Sequence, residues 1–305
     1  MKQTFYSHGK LLLTAEYVVL DNALALAIPT KFGQFLEVEK NNTNSIVWKS
    51  YTNTNTIWFK AEFSNENNSI SCSIENEVSK NLIKILTAAK TLNPKFLKSD
   101  FGFNVTSKLE FPQNWGLGSS STLLNNIANW AKVDAFTLSN LTFGGSGYDI
   151  ACAKNSTPIF YNLENNMPNV TPTLFNPEFR NQLYFVHLNQ KQNSRDGIKH
   201  YKAQQFNLKE TITKITTITE QLSSTTNFNT FCNLIDQHET IISKITKQET
   251  VKDSLFQDFN GSIKSLGAWG GDFVLVASKE NPISYFKTKG FETILSWDQM
   301  VLENI

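Results

Sequence analysis

The segment Asn114-Trp115-Gly116-Leu117-Gly118-Ser119-Ser120-Ser121-Thr122 has the residue types of a phosphate-binding loop. Glycine lets the backbone turn tightly and leaves room for a ligand to approach main-chain N–H groups. The serines stand where a helix-like run begins, and the first N–H groups of a helix have no internal partner and favour anions. Serine hydroxyls can also donate hydrogen bonds or bind Mg²⁺. A glycine-rich turn with a serine cap and no ligand is the alternative interpretation.

Three ionisable residues also lie where chemistry could occur. Lys10 and Glu16 stand among the apolar residues of the first strand-like runs, and Asp149 follows the small-residue turn Gly144-Gly145-Ser146-Gly147. Such a turn lets a carboxylate come close to a ligand. The alternatives are an exposed edge charge for Lys10 and Glu16 and a helix N-cap for Asp149.

Composition restricts the classes of protein that this chain can be. It has 305 residues, 40% of them hydrophobic, and a net charge of +1. We therefore expect two domains or one large one, and neither nucleic acid nor membrane as a partner. The three cysteines are far apart without metal-ligand spacing, and the first residues lack the apolar run of a secretory signal. These features favour a cytoplasmic protein with free thiols.

Periodicity predicts the elements that must position these residues. A strand over 101–111 leads into the glycine-serine loop, and a helix over 123–132 follows it. The prolines and asparagines of 165–177 predict a linker between domains at 1–165 and 178–305. Helical spacing predicts further helices at 77–92, 134–143, 197–205, 208–222, 228–245 and 283–289. Two apolar runs within residues 5–30, on either side of the Asp21-Asn22 turn, predict strands or a strand pair. Further apolar or alternating runs predict strands at 32–40, 58–63, 157–161, 183–188, 273–277 and 291–297. The fold class is therefore α+β.

Glycine-rich motifs in a fixed order, with Lys10 and Glu16 before them, resemble the GHMP kinases, the superfamily of galactokinase, homoserine kinase, mevalonate kinase and phosphomevalonate kinase. The resemblance covers residues 8 to about 277, and the phosphate loop is its most specific part. The segments that carry it are His8-Gly9-Lys10-Leu11-Leu12-Leu13-Thr14-Ala15-Glu16-Tyr17-Val18-Val19, Gly116-Leu117-Gly118-Ser119-Ser120-Ser121, Gly145-Ser146-Gly147-Tyr148-Asp149 and Leu266-Gly267-Ala268-Trp269-Gly270-Gly271.

The resemblance implies a two-domain fold. The N-terminal α/β domain would be like that of ribosomal proteins and gyrase, and the C-terminal α+β domain would be ferredoxin-like. It also implies ATP and Mg²⁺ as cofactors and a small-molecule substrate, while a homodimer stays open. Asp149 would orient or deprotonate the substrate hydroxyl, and Lys10 would pair with Asp149. ATP would be bound by Gly116, Leu117, Gly118, Ser119, Ser120 and Ser121, with Ser120 also on the metal. Substrate would be bound by Glu16, Ser146, Gly147, Tyr148, Arg195 and Gly270.

The chain departs from the family pattern at several positions. Ala15 replaces a usual glycine, Trp115 is larger than common, and Trp269 and Asp272 interrupt the last motif. The motifs look most like mevalonate-pathway kinases, with mevalonate or phosphomevalonate as substrate. A phosphorylated substrate would require several cations, for which Lys10, Lys191, Arg195 and Lys199 are candidates. A diphosphomevalonate decarboxylase-like lyase and a non-catalytic ATP-binding protein are the alternatives.

Overall fold

The computed structural model describes residues 2–66, 69–98, 101–190, 194–267 and 269–303; the side chains of Ser194 and Arg195 are also outside the description. The strands of the described residues are β1 (Lys2–Leu12), β2 (Ala25–Asn41), β3 (Ser45–Tyr51), β4 (Ile57–Glu66), β5 (Ser69–Cys72), β6 (Gly102–Leu109), β7 (Ile159–Glu164), β8 (Met167–Pro172), β9 (Leu183–His187), β10 (Ser262–Ser265), β11 (Phe273–Ala277) and β12 (Ile294–Ser296).

The helices of the same residues complete the α+β composition. They are α1 (Glu77–Leu92), α2 (Ser119–Ala131), α3 (Ala135–Thr142), α4 (Tyr148–Lys154), α5 (Ser194–Lys202), α6 (Leu208–Ser224), α7 (Phe228–Thr246), α8 (Val251–Leu255), α9 (Ile283–Thr288) and α10 (Trp297–Met300). Short 3₁₀ helices cover Val18–Asp21 and Arg180–Gln182.

The chain forms two compact units, and neither is continuous in sequence. Unit 1 contains Met1–Gly9, Phe32–Gln113 and Gly118–Lys154, and unit 2 contains Lys10–Lys31, Asn114–Leu117 and Asn155–Ile305. The chain therefore passes from one unit to the other inside the phosphate loop, between Leu117 and Gly118. The division at 165 and 178 inferred from sequence stays a prediction.

Unit 1 is a mixed sheet covered by helices. Its strands follow the order β5-β4-β3-β6-β2, in which β3 pairs with β6 in parallel and the other pairs are antiparallel. Strand β1 also pairs with β2. Apolar side chains of the sheet, such as Trp48 and Phe63, pack with Leu86 of α1 and Ile127 of α2 in one buried cluster. This packing fixes the helix that follows the phosphate loop.

Unit 2 has a four-stranded antiparallel sheet in the order β10-β11-β9-β12. Along the chain its elements run β9, helices α5 to α8, β10, β11, α9 and β12. Numbering these strands one to four gives the spatial order 2-3-1-4, which is the βαββαβ arrangement of a ferredoxin-like fold. The ferredoxin-like C-terminal domain and the α+β class are therefore confirmed.

The segment 165–177, predicted to be a linker without secondary structure, contains a β-strand. Strand β8 lies there and pairs with β7 along its length, from Ile159 opposite Pro172 to Glu164 opposite Met167. Strand β8 is the last strand in its sheet. Its prolines have no N–H to donate, but no further strand lies beside them to need one. The proline-rich composition thus marks an edge strand.

The strand predicted from the apolar run before the Asp21-Asn22 turn is confirmed only in its first part. Strand β1 ends at Leu12, and a 3₁₀ helix begins at Val18. Between them Ala15 and Tyr17 adopt positive φ angles of 67° and 62°. By contrast, the helix predicted at 77–92 and the strand at 273–277 are confirmed to the residue. Within the described residues, none of the helices is long and apolar enough to cross a bilayer.

Candidate active site

The first half of the phosphate loop, residues 114–117, is held by Lys10. The backbone N–H of Lys10 donates to the Leu117 carbonyl at 3.0 Å, and its Nζ donates to the Gly116 carbonyl at 3.0 Å. One residue therefore binds two consecutive carbonyls of the loop, and strand β1 and the loop run side by side here. The structure brings the predicted lysine and the first predicted glycine into direct contact.

Three further groups of unit 2 hold the same half of the loop. His187 Nε2 lies 3.0 Å from the Asn114 carbonyl, and the Trp115 ring meets Phe273 edge to face at 5.3 Å. Gly116 has φ +66°, and a Cβ added there would lie 2.2 Å from Cγ of Asp272. Glycine is required at this position for two reasons, the backbone angle and the space taken by the Asp272 carboxyl group.

The second half of the loop begins helix α2. Gly118 precedes the helix in the left-handed conformation, with φ 88° and ψ 42°. The hydroxyl of Ser121 donates to the Gly118 carbonyl at 2.9 Å, and Ser121 is buried, whereas Ser120 is exposed. The first N–H groups of α2 point out of the helix end and are available for an anion. Ser120 can therefore present its hydroxyl to a ligand, while Ser121 would contribute its backbone N–H.

A buried polar network in unit 1 fixes the position of α2. Thr122 Oγ1 donates to Gln34 Oε1 at 2.6 Å, and Asn126 Nδ2 donates to the Gln34 carbonyl at 2.8 Å. Ser7 Oγ donates to Asn126 Oδ1 at 2.7 Å and accepts from Asn125 Nδ2 at 2.9 Å. Since buried polar groups are costly unless bonded, these residues specify one placement of the helix on β1 and β2.

Asp149 lies inside the first turn of α4, so the N-cap alternative for it is wrong. Its Oδ1 accepts from the N–H of Ile150 at 3.0 Å, and its side chain is half-buried. Gly145 and Gly147 precede it with φ angles of +104° and +85°, so only glycine suits this turn. Ser146 and Tyr148 are half-buried in the same turn. Asp149 belongs to unit 1 and Lys10 to unit 2; their pairing stays a prediction.

Glu16 belongs to a buried ionic cluster that also contains His238, Glu239 and Lys264. Lys264 Nζ donates to Glu16 Oε1 at 2.5 Å and lies 3.5 Å from Glu239 Oε1. His238 Nε2 accepts from the N–H of Ala15 at 2.9 Å and lies 3.3 Å from Glu16 Oε2. All four residues are nearly inaccessible to solvent. The exposed-charge alternative for Glu16 is therefore wrong, and its predicted contact with substrate stays a prediction.

Burial sets the protonation of this cluster. Desolvation raises the pKa of Glu16, although Lys264 lowers it in part. Desolvation likewise raises the pKa of Glu239 to about 7 against the opposing charge of Lys264. The pKa of His238 is well below its ordinary value, first because of burial and then because of Lys264. A neutral His238 agrees with its Nε2 atom accepting the Ala15 N–H.

Tyr17 joins the strained segment after Glu16 to the last glycine motif. Its hydroxyl accepts from the N–H of Trp269 at 3.1 Å, and its ring stacks on Tyr201 of α5 at 5.6 Å. A Cβ at Gly197 would lie 2.5 Å from the Tyr17 hydroxyl, so α5 approaches closely because position 197 is glycine. In the same motif, the Gly270 carbonyl accepts from Gln190 Nε2 at 2.7 Å.

The proposed cations for a phosphorylated substrate divide into three cases. Lys10 lies on the phosphate loop, and Lys199 is exposed on α5. Arg195 is in α5, but its side chain lies outside the described residues, as does Lys191. The substrate role of Arg195 stays a prediction.

Sequence reasoning missed the partners of Glu16. His238 and Glu239 fall on the apolar stripe of α7 with Ile235 and Ile242, at helical spacing. Lys264 lies in β10, in which all four residues are buried. A polar residue on a face that must be buried implies a partner, so these positions carried a signal. The identity of that partner depends on contacts more than 200 residues apart in sequence, such as Glu16 with Lys264.

No protein-family model and no curated protein sequence matches the chain. Among solved structures, the mevalonate kinase of Methanococcus jannaschii is similar over 100% of this chain and 99% of its own, with a TM-score of 0.71 and 14% identity.

Two other solved structures show the same likeness across the whole chain. Streptococcus pneumoniae phosphomevalonate kinase, in complex with phosphomevalonate and AMPPNP, has a TM-score of 0.69 and 13% identity over 99% of this chain and 98% of its own. A mevalonate diphosphate decarboxylase from Legionella pneumophila has a TM-score of 0.60 and 13% identity over 97% of this chain and 100% of its own. The chain has the fold of the GHMP kinase superfamily.

Proposed function

We propose that the protein is an ATP-dependent small-molecule kinase that transfers the γ-phosphate of ATP to mevalonate or phosphomevalonate. The observation that carries the proposal is the phosphate loop itself. Its two glycines have positive φ angles, it ends at the N-terminus of α2, and Lys10 binds its Gly116 carbonyl. The fold shared with mevalonate-pathway kinases supports the same conclusion.

The loop would bind the ATP phosphates mainly through its backbone. The N–H groups of residues 119–121 begin a helix of thirteen residues, and its dipole favours negative charge there. Residues 114–122 contain no charged side chain, so the ammonium group of Lys10 adds the positive charge beside the loop. Phosphoryl transfer depends on positioning and charge stabilisation, which these groups can provide.

Asp149 would orient the substrate hydroxyl toward the γ-phosphate and accept its proton. The α4 helix holds this carboxylate in place through the Ile150 N–H. General-base assistance contributes a factor of about 10² to 10⁴ in rate. Ser146, Gly147 and Tyr148 would contact the substrate from the same turn. Gly270 of the last motif and Arg195 of α5 would contact it as well.

Mg²⁺ bound with ATP would neutralise phosphate charge during the transfer. The donors beside the loop fit this ion, because Mg²⁺ prefers oxygen ligands and often takes only one or two from the protein. The hydroxyl of Ser120 is exposed at the start of α2 and would serve as one of them. Within the described part of the chain, no group of three or more histidine, cysteine or acidic residues could by itself hold a metal ion, so phosphate oxygens and water would complete the shell.

A diphosphomevalonate decarboxylase-like reaction is the second candidate, favoured by the similar Legionella pneumophila enzyme. Both reactions consume ATP, and they differ in the product. A lyase would release CO₂ and inorganic phosphate, whereas a kinase would release neither. A non-catalytic ATP-binding protein would bind nucleotide without turnover.

A coupled ADP-release assay over mevalonate, phosphomevalonate, diphosphomevalonate, homoserine and galactose tests the proposal. We expect turnover with mevalonate or phosphomevalonate and no CO₂. The Asp149→Asn variant should keep its ATP affinity and lose turnover by about 10² to 10⁴. Asp298→Asn is the control, since this exposed acid pairs with Arg180 on the surface. Turnover of diphosphomevalonate with CO₂ release would replace the kinase by the lyase, and ATP binding without turnover of any substrate would refute both enzymes.

A further inference from the structure

Asp272 is a charged residue in the last glycine motif that the proposed reaction does not use. It is 8% exposed and has a φ of +55°. Its N–H donates to the Gln190 carbonyl at 2.9 Å, and its own carbonyl accepts from the Leu188 N–H at 2.8 Å. These two bonds fix the backbone from which the carboxyl group extends.

The carboxyl group of Asp272 lies against the phosphate loop. A Cβ on Gly116 would meet Cγ at 2.2 Å, Oδ2 at 2.3 Å and Cβ of Asp272 at 2.7 Å. Lys10 Nζ donates to the carbonyl of the same glycine at 3.0 Å. The ammonium group of Lys10 therefore binds the Gly116 carbonyl, and the carboxyl group of Asp272 lies beside the Gly116 Cα.

The carboxylate of Asp272 offsets positive charge that Lys10 brings to a loop where a kinase must hold several phosphate charges. The helix end and the backbone N–H groups supply only partial positive charge. A carboxylate in a nearly buried position is screened less than one in water, so its repulsion of a phosphate group is substantial. A divalent cation that arrives with the nucleotide reverses this balance, because the carboxylate attracts it.

Two other acids, Asp134 and Glu16, contact groups outside the loop. Asp134 caps α3, where its Oδ2 accepts from the N–H and the hydroxyl of Thr137 at 2.8 and 2.9 Å. Glu16 binds Lys264 inside the buried ionic cluster. Asp272, by contrast, lies directly against Gly116 of the loop.

We propose that Asp272 makes the phosphate loop selective for the metal-bound form of a nucleoside triphosphate. Its carboxylate repels the phosphates when they are alone and favours them when a divalent cation accompanies them. This inference rests on the proposed function, because it concerns the nucleotide that the kinase would use.

Calorimetric titration with ATP tests the proposal without an activity measurement. Each protein is titrated in the presence of Mg²⁺ and again with ATP and excess EDTA. Wild type should bind ATP at least about tenfold more tightly with Mg²⁺. Asp272→Asn should tighten binding of metal-free ATP by at least about tenfold and reduce the ratio between the two conditions.

Two further variants keep the test decisive. Asp236→Asn changes the net charge equally but lies on α7, where the acid accepts from Ser262 Oγ at 2.8 Å, so its ratio should match wild type. Asp272→Gly removes the charge and introduces a residue that tolerates the positive φ of this position. It replaces the asparagine variant if that variant does not fold. An Asp272 variant with the wild-type ratio overturns the inference and leaves the kinase proposal intact. Wild type that binds no ATP in either condition overturns both.

Discussion

Replacing Glu239 by Gln should change how the stability of the protein depends on pH. Burial raises the pKa of Glu239 from 4.5 to about 7 in the folded state. Between about pH 4.5 and 7, the folded protein therefore keeps a proton on this carboxyl group that the unfolded chain has lost. This contribution to stability is complete below about pH 4.5 and is lost as the pH rises through about 7.

The size of the effect follows from the shift. Each unit of pKa is about 1.4 kcal/mol, so a shift of about 2.5 units corresponds to about 3 kcal/mol. Burial also shifts the pKa values of two other groups of the cluster. His238 has a lowered pKa and loses stability as the pH falls, while the raised pKa of Glu16 acts in the same direction as Glu239. The measured quantity must therefore be the difference between wild type and variant, in which these contributions largely cancel.

Urea unfolding at a series of pH values measures that difference. We expect wild type to lose about 3 kcal/mol relative to Glu239→Gln between about pH 4.5 and 8. Glutamine keeps an acceptor for the Ser265 N–H and hydroxyl, which Glu239 Oε2 accepts at 3.0 and 3.1 Å. Glu280→Gln, at an exposed position, should run parallel to wild type. A wild-type to Glu239→Gln difference that is equal at both ends of the range would refute the reasoning.

Further substitutions test the cluster and the loop. Lys264→Met leaves two carboxylates buried without their cation and should lower the free energy of unfolding in urea by about 3 to 5 kcal/mol. The double variant Lys264→Met with Glu16→Gln should recover part of this loss. A double variant as unstable as Lys264→Met alone would contradict the ion pair between Lys264 and Glu16. Gly118→Ala should weaken ATP binding measured by calorimetry. Gly290→Ala is the matched control, because Gly290 has a φ of +87° and Gly118 a φ of +88°. The control should lose stability through backbone strain but bind ATP as wild type does. Gly116→Ala should destabilise the protein more than Gly144→Ala. The two glycines have nearly equal φ angles, +66° and +67°, but only a Cβ at position 116 would meet Asp272. If adding Asp272→Gly to Gly116→Ala restores none of the lost stability, this contact is not the cause.

Local sequence signals predicted the elements whose contacts are mainly regular and apolar. Helix α1 was predicted to the residue because its apolar residues repeat at helical spacing. In the structure, Asn76 and Ser79 also form a capping box at its start. Strand β11 consists of five buried residues, Phe273-Val274-Leu275-Val276-Ala277. In such segments the local pattern and the tertiary packing favour the same structure.

The segment after Leu12 shows why the remainder could not be predicted. Its apolar residues favour a strand, but Ala15 and Tyr17 adopt positive φ angles that such residues rarely take. Partners far away in sequence stabilise them, since His238 accepts the Ala15 N–H and Tyr17 accepts the Trp269 N–H. No local pattern contains that information. The strain is compensated only when α7 and the last glycine motif are in place.

Two residues that depart from the pattern of the similar family, Trp269 and Asp272, have specific partners, which bears on whether the last motif is degraded. Trp269 donates from its backbone to Tyr17 and from its indole to the Glu249 carbonyl at 3.1 Å, so the large residue connects the motif to two other segments. Asp272 fills the space that the absence of a side chain at Gly116 leaves beside the loop. A motif under no constraint would accumulate residues without specific partners, whereas these two contact the segments that carry Lys10 and the phosphate loop. This argues that the altered motif serves the site, and that its two unusual residues should be tested as parts of it.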